Sequence, residues 1–422
     1  MACKRSGVQI PSAPHNIMKK FLFETKELLL SQGTIAVVAI IQIRIVAKSL
    51  GPESYGVIGV YLGIIGLCFR FLSSRNSDLV LLNYKSYDGN FLRSSIIFEL
   101  FMGLFSVLLS LTLLIIAANY ELLDIKSIPN YLLLFICSRV FLNLLEVFKG
   151  TFTYTGDMKT YSLVEGCVSM LRFALVVFFI LKNPTIENFF IALSIHSFLT
   201  GLIIFFVLIF SNKNKYKKVG FREYIKISKN NFFKIRTDQA VGLIPAQLDV
   251  VVIGLLTDFY SAGIYRVARK LVEPVNYIVV AFSPWMLNKI NKDNNYNFRK
   301  LTLNILSPIS VGIILTYIIY GEDMIILIAG SDYISSYTPL LILLIGYITY
   351  LLTFWTRHYL FLSELITQHT IGRLIYLIIF VALSFMLIES LTFNGVAISI
   401  SAGMIFQKFY EIYVYFKTKA SQ

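Results

Sequence analysis

The chain has 422 residues, 56% of them hydrophobic, with a mean hydropathy of +0.71 and a net charge of +14. Soluble globular chains carry about 25% charged residues; this one carries 15%, too few to clothe a soluble body of this size. The positive charge falls mainly in short stretches between apolar runs, which argues against nucleic acid as a partner and for a polytopic helical membrane protein.

In chain order, the first stretch is MACKRSGVQIPSAPHNI. It holds no apolar core of a secretory signal. Met18 then opens MKKFLFETKELLL, which reads like a natural start, so residues 1–17 are expected to be a non-native or disordered extension. From there apolar runs of about 20 residues recur, and a run of that length crosses a hydrocarbon core. The expected spans are 28–49, 55–73, 93–117, 130–150, 161–181, 188–210, 236–256, 260–285, 301–320, 337–361, 370–388 and 392–415. They group as a six-helix lobe over 18–210, a basic linker over 211–235 and a second six-helix lobe over 236–422.

Lysine and arginine alternate between the connections. Even-numbered loops and the chain ends carry them: Lys19, Lys20 and Lys26; Arg75 and Lys85; Lys213 to Lys218 with Arg222; Lys289 and Arg299; Lys417 and Lys419. Odd loops hold Lys126 and Lys182 against several acids. By the positive-inside rule both termini are expected in the cytoplasm, which an even number of spans allows. Of the four cysteines, Cys3, Cys68, Cys137 and Cys167, three lie in apolar segments and none has metal-ligand spacing, so no disulfide framework is expected.

The chain also repeats. Shifted by 207 residues, Gln32 lands on Gln239, Gly56 on Gly263, Asp157 on Glu364 and Thr160 on Thr367. Six spans per half is even, so the halves insert in the same orientation, as parallel repeats about an axis along the membrane normal. Two such bundles facing each other leave a central cleft.

Charges interrupt the apolar runs. Arg266, Arg269, Lys270 and Glu273 share one face of span eight, spaced i, i+3, i+4, i+7. A charge at mid-span costs about 2.5–3.5 kcal/mol on insertion scales, so that face is expected to look into the bundle. Pro274 is expected to kink the helix. Arg44, Arg139, Arg172 and Arg357 are further embedded cations, with Glu99, Glu146 and Asp249 as embedded acids. Arg44, Arg139, Arg172, Arg266, Arg269 and Lys270 are the candidate substrate-binding cations of a basic cavity. Guanidinium groups suit an anionic passenger, because they bind phosphate bidentately and stay charged when desolvated. Asp249, Glu273, Glu99 and Glu146 are candidates for ion coupling or for ion pairs. Arg357 has a snorkelling alternative, and His196 and His358 read as packing residues. No P-loop, HExxH, GxSxG or Cys-x-x-Cys is present, so no cofactor and no enzymatic chemistry are expected.

Two stretches carry a resemblance. RIVAKSLGPESYGVIGVYLGIIG (44–66) and LDVVVIGLLTDFYSAGIYRVARKLVEPV (248–275) resemble the helix junctions of the polysaccharide flippases of the Wzx/RfbX type. These belong to the multidrug/oligosaccharidyl-lipid/polysaccharide (MOP) exporter superfamily. Leu50, Gly51, Pro52, Glu53, Tyr55 and Gly56 carry the first motif; Asp249, Gly254, Ala262, Gly263 and Tyr265 carry the second. The resemblance implies an all-α fold of about twelve transmembrane helices in two lobes. It implies transfer of an undecaprenyl-pyrophosphate-linked glycan between the leaflets of the bacterial inner membrane, with a polysaccharide polymerase and chain-length regulator as possible partners. Neither motif certifies any single arginine as a ligand. The alternatives are a drug/cation antiporter of the same superfamily, a polysaccharide polymerase or ligase, and a lipid II-type flippase, a family that usually carries fourteen spans.

Overall fold

Gly51 and Thr392 mark where the two longest helices turn. The computed structural model describes residues 14–73, 92–119, 128–155, 157–211, 221–292 and 302–420. Of the residues singled out above, Cys3, Arg75, Lys85, Lys126, Lys213 to Lys218 and Arg299 lie outside them, as do 1–13 and 212–220 of the expected extension and linker. The helices are α1 (Pro14–Leu72), α2 (Leu92–Asn119), α3 (Asn130–Leu142), α4 (Leu144–Thr155), α5 (Met158–Lys182) and α6 (Ile186–Ser211). They continue as α7 (Phe221–Leu256), α8 (Phe259–Lys292), α9 (Ser307–Ile328), α10 (Tyr337–Thr353), α11 (Trp355–Leu362) and α12 (Ile366–Ala420). Helix is the only regular structure that satisfies every backbone polar group within one apolar segment, where lipid offers no partner. Serine and threonine hydroxyls inside the spans bond back to the carbonyl four residues earlier, as Ser194 does to Phe190 at 2.7 Å and Ser197 to Leu193 at 2.8 Å.

Nine described segments are long and apolar enough to cross a membrane. One of them, Leu30–Leu72, has 43 residues. At about 1.5 Å per residue that is twice a hydrocarbon core of about 30 Å. It divides at Gly51, whose φ of 76° is open to glycine and costly for other residues. Ile366–Ala420 divides at Thr392, and its two arms run antiparallel, with Gly372 against Tyr410 and Gly403 against Tyr376. α8 is long enough at 34 residues but too charged to count by apolarity. With these, the described helices make the twelve crossings that the sequence predicts.

Three expectations change. Residues 221–235 of the expected linker are helical, the first turns of α7. Span nine runs on to Ile328, past Glu322 and Asp323, which are exposed, and ends at Gly330 with φ 106°. α8 itself is continuous through Pro274. Spans four and ten are each interrupted near the middle, at Asn143 and Phe354.

The seam between the halves runs along α1, α7 and α8. A methyl on Gly56 would overlap the Phe259 carbonyl oxygen, and one on Gly263 would overlap the Pro52 carbonyl oxygen. Pro52 and Phe259 are themselves 207 residues apart. The contact is therefore reciprocal, as a pseudo-two-fold axis requires, at the end of the bundle that holds the Gly51 turn. That end is distal to the chain termini. There Tyr333 also donates to the Ala47 carbonyl at 3.1 Å. Large exposed apolar side chains such as Leu108, Phe178, Ile319 and Phe385 form a surface suited to lipid.

Candidate functional site

The charged stripe of α8 divides between two roles. Arg266 is 7% exposed, donates to the Tyr55 carbonyl at 2.6 Å and lies over the Tyr55 ring at 4.2 Å. Arg269 pairs with Asp249 of α7 and donates to the Ala246 carbonyl. Tyr265 donates to the other Asp249 oxygen at 2.9 Å. Arg266 and Arg269 thus tie α8 to α1 and α7. Asp249 is engaged on both oxygens, as the helix-packing partner of an arginine. Lys270 and Glu273 differ. They pair at 2.8 Å, and their side chains are 36% and 25% exposed.

Cations of the N-terminal half reach the same stretch of α8, directly or through one another. Arg139, at the end of α3, lies over the rings of Phe69 and Phe135 at 5.4 and 5.6 Å, a cation–π seat, with no ion pair to a carboxylate among the described residues. Arg70 of α1 is within electrostatic reach of both Arg139 and Glu273. Arg172 of α5 reaches Tyr277 of α8 and His196 of α6. Its buried Nε has no hydrogen-bond partner among the described residues. Of these, Arg70 reaches Glu273, Arg139 lies beyond Arg70, and Arg172 meets α8 one turn on, at Tyr277. An excess of cations at this depth is costly unless an anion or water joins it.

Other expected site residues lie elsewhere. Arg44 is exposed on α1, with no ion pair among the described residues. Glu99 of α2 is buried and accepts from Ser73 at 3.5 Å. Glu146 is half-buried in the first turn of α4, within reach of Lys149. Lys149 itself pairs with Glu165 at 3.3 Å, which also accepts from Gln32 at 3.0 Å. The guanidinium of Arg357 lies over Phe361 at 5.1 Å. His196 contacts the Val168 carbonyl at 3.3 Å and His358 packs on Phe354, both as packing residues. No cluster of histidine, cysteine and acid suited to a metal occurs among the described residues.

Arg70 is absent from the sequence-based set because it falls three residues before the expected end of span two, where arginine reads as an interfacial anchor. A second omission is larger. Asp238, His369, Arg373, Lys408 and Glu411 form a buried network between α7 and the two arms of α12. The expected start of span eleven at 370 leaves His369 in a loop, which hides it. The i, i+3 pair Lys408–Glu411 was the signal available.

The geometry can be set beside known proteins. A family model described as polysaccharide biosynthesis protein matches residues 25–286. The chain belongs to that family. No curated protein matches it by sequence. Among solved structures, it is similar to one titled lipid II flippase MurJ in an inward closed conformation, at 18% identity and a TM-score of 0.73 over 92% of this chain and 87% of that one. It is similar to an inward-facing multidrug resistance MATE family transporter of the MOP superfamily, at 15% identity and 0.69 over 94% and 98%. A MOP superfamily transporter from Pyrococcus furiosus, titled for the reverse polarity of its binding pocket, matches at 13% and 0.61 over 93% and 95%. These likenesses establish the MOP fold for this family member and, at such identities, no more than the fold.

Proposed function

We propose that this member of the polysaccharide biosynthesis family is a flippase for lipid-linked oligosaccharide. It moves an undecaprenyl-pyrophosphate-linked repeat unit from the cytoplasmic to the periplasmic leaflet of the bacterial inner membrane, by alternating access of its two halves. The observation that carries the reading is the set of arginines that the N-terminal half brings to this stretch of α8: Arg70 within reach of Glu273, Arg139 beside Arg70, and Arg172 beside Tyr277. Arginines suit a diphosphate, which offers several oxygens to planar guanidinium forks. The lipid tail stays in the bilayer while the sugar occupies the wet centre. The family's description and the likeness to a structure titled lipid II flippase support the same reading. Basic loops support a cytoplasmic side for both termini, which puts the distal Gly51 end toward the periplasm in this reading. Transport draws on an ion gradient or the membrane potential, and a polymerase and chain-length regulator receive the product.

The MATE-fold neighbours favour a second reading, a drug/cation antiporter. Such a protein needs an acidic centre for cationic drugs, and the sign here is opposite. A polymerase or ligase is the reading from another class. Chromosomal deletion in the native bacterium separates the three. Loss of surface polymer, with single repeat units trapped on the cytoplasmic leaflet, is the expected result. Single units accessible from the periplasm would make the protein a polymerase. Normal polymer with new drug sensitivity would make it an exporter.

A further inference from the structure

The buried network near the terminal end of the second half has a place for a proton. His369 Nδ1 lies 2.9 Å from Glu411 Oε1, and its Nε2 lies 3.8 Å from Asp238 Oδ1. Arg373 Nη1 bonds both the carboxylate and the carbonyl of Asp238 at 2.9 Å. That grip is possible because Gly242, one turn along α7, has no side chain to meet the guanidinium. Lys408 pairs with Glu411 at 2.7 Å, and Gln407 donates to the same carboxylate at 2.8 Å. Thr356 of α11 donates to Glu411, the Tyr350 ring of α10 faces Lys408 at 4.8 Å, and the Phe361 ring packs on His369.

A count of protons and charges isolates one atom. A carboxylate accepts only, so His369 donates to Glu411 from Nδ1, and in the neutral ring Nε2 is then a bare acceptor. It is buried with no hydrogen-bond partner among the described residues. What faces it is Asp238, another acceptor. The two acids balance Lys408 and Arg373, so the set is neutral with the ring neutral. One proton taken from water onto Nε2 turns a gap between two acceptors into a charge-assisted bond to Asp238. Asp238 Oδ1 already accepts from the Thr370 hydroxyl at 3.3 Å, and a carboxylate oxygen can accept a second bond.

The fold itself does not need ionisable groups here. The positions 207 residues earlier than Asp238 and His369 are Ser31 and Ser162, and the first half closes the same helix contact with Ser31 Oγ donating to the Ser162 carbonyl at 3.2 Å. Asp238 also has a route to the seam. Its neighbour Gln239 donates across it, at 3.1 Å, to the carbonyl of Arg70. Arg70 belongs to the central cation group.

We propose that His369 and Asp238 form a proton-binding site whose occupancy resets the seating of α7 against α1, and so couples protonation to the opening between the halves. Its use in transport rests on the flippase reading; the coupling itself does not. The test uses the purified full chain in lipid nanodiscs, with native cysteines replaced and spin labels at Phe71→Cys of α1 and Ile371→Cys of α12, both exposed. The label–label distance distribution is measured from about pH 5 to about pH 8, the range in which histidine titrates. The expected result is a pH-dependent ratio of two distances, absent in His369→Gln and weakened in Asp238→Asn. A pH titration of the unlabelled chain should show about one proton more taken up than by His369→Gln. A distribution that ignores pH, or one that responds equally in His369→Gln, overturns the site. Flipping of a fluorescent polyprenyl-diphosphate glycan in vesicles is read separately. Its absence while the pH response persists would overturn the transport reading and leave the proton site standing.

Discussion

Arg139 and Arg172 are the residues on which the proposed chemistry leans most directly. Both lie near mid-membrane, where an aliphatic stem cannot carry the charge to water without help. Arg139 is steadied by two aromatic rings, and Arg172 keeps a buried Nε without a partner. Arg139→Ala and Arg172→Ala should each lower flipping roughly tenfold or more, the loss of one charge-assisted phosphate contact. Membrane insertion should be unchanged, because neither residue holds another buried charge. Arg172→Lys should recover only part of the rate, since an ammonium is a point charge and not a planar fork. Flipping in vesicles, with protein level read on a blot, checks this; full activity in both alanine variants would remove them from the path. Arg269 shows why charge and depth alone misassign roles in sequence. It shares a stripe with Lys270, yet its partner Asp249 lies on another helix. No spacing within α8 reveals a partner twenty residues away on α7.

At the scale of the helix, the spans were legible because lipid permits little else, and an apolar run of span length has one structural answer. Their ends were not. α7 begins within a basic, polar stretch whose side chains do not report helix, and α9 continues through two acids that reach water at its end. The breaks at Asn143 and Phe354 left no glycine or proline to read. Glycine spacing was the better guide. Gly56 and Gly263 matched at one offset in sequence, and the structure has them pressed on each other's helices with carbonyls of Pro52 and Phe259. Backbone cannot yield there as a side-chain tip can. Gly56→Ala or Gly263→Ala should therefore force α1 and α8 apart at the distal end. The cost expected for such overpacking is about 1–3 kcal/mol. Thermal unfolding in detergent should show it, with Gly33→Ala as the control, since a methyl there meets nothing within 4 Å. Equal melting of all three proteins would mean the crossing is looser than the geometry has it.

The whole molecule is two bundles joined by one covalent connection, and the seam between them is noncovalent. α6 ends at Ser211 and α7 begins at Phe221, so a cut between Lys215 and Tyr216 falls outside both described helices. Each product holds six spans, and an even number keeps both new ends on the side where the linker already lies. What then holds the halves together is the packing of α1 on α7 and α8: the reciprocal glycine contact, the Arg266–Tyr55 bond and the Tyr333–Ala47 bond. These contacts need no linker. Tethering raises the effective concentration of one half near the other, but two membrane-bound partners are already confined to a plane. Co-expressed fragments 1–215 and 216–422 should thus co-purify and restore surface polysaccharide to a deletion strain, while either fragment alone restores none. The halves must also move against each other if the proposed alternating access holds, and a seam built of many small contacts permits that better than a rigid covalent bridge. Fragments that insert but fail to associate would show that the linker is part of the fold, and the division at 211–235 would have to be redrawn.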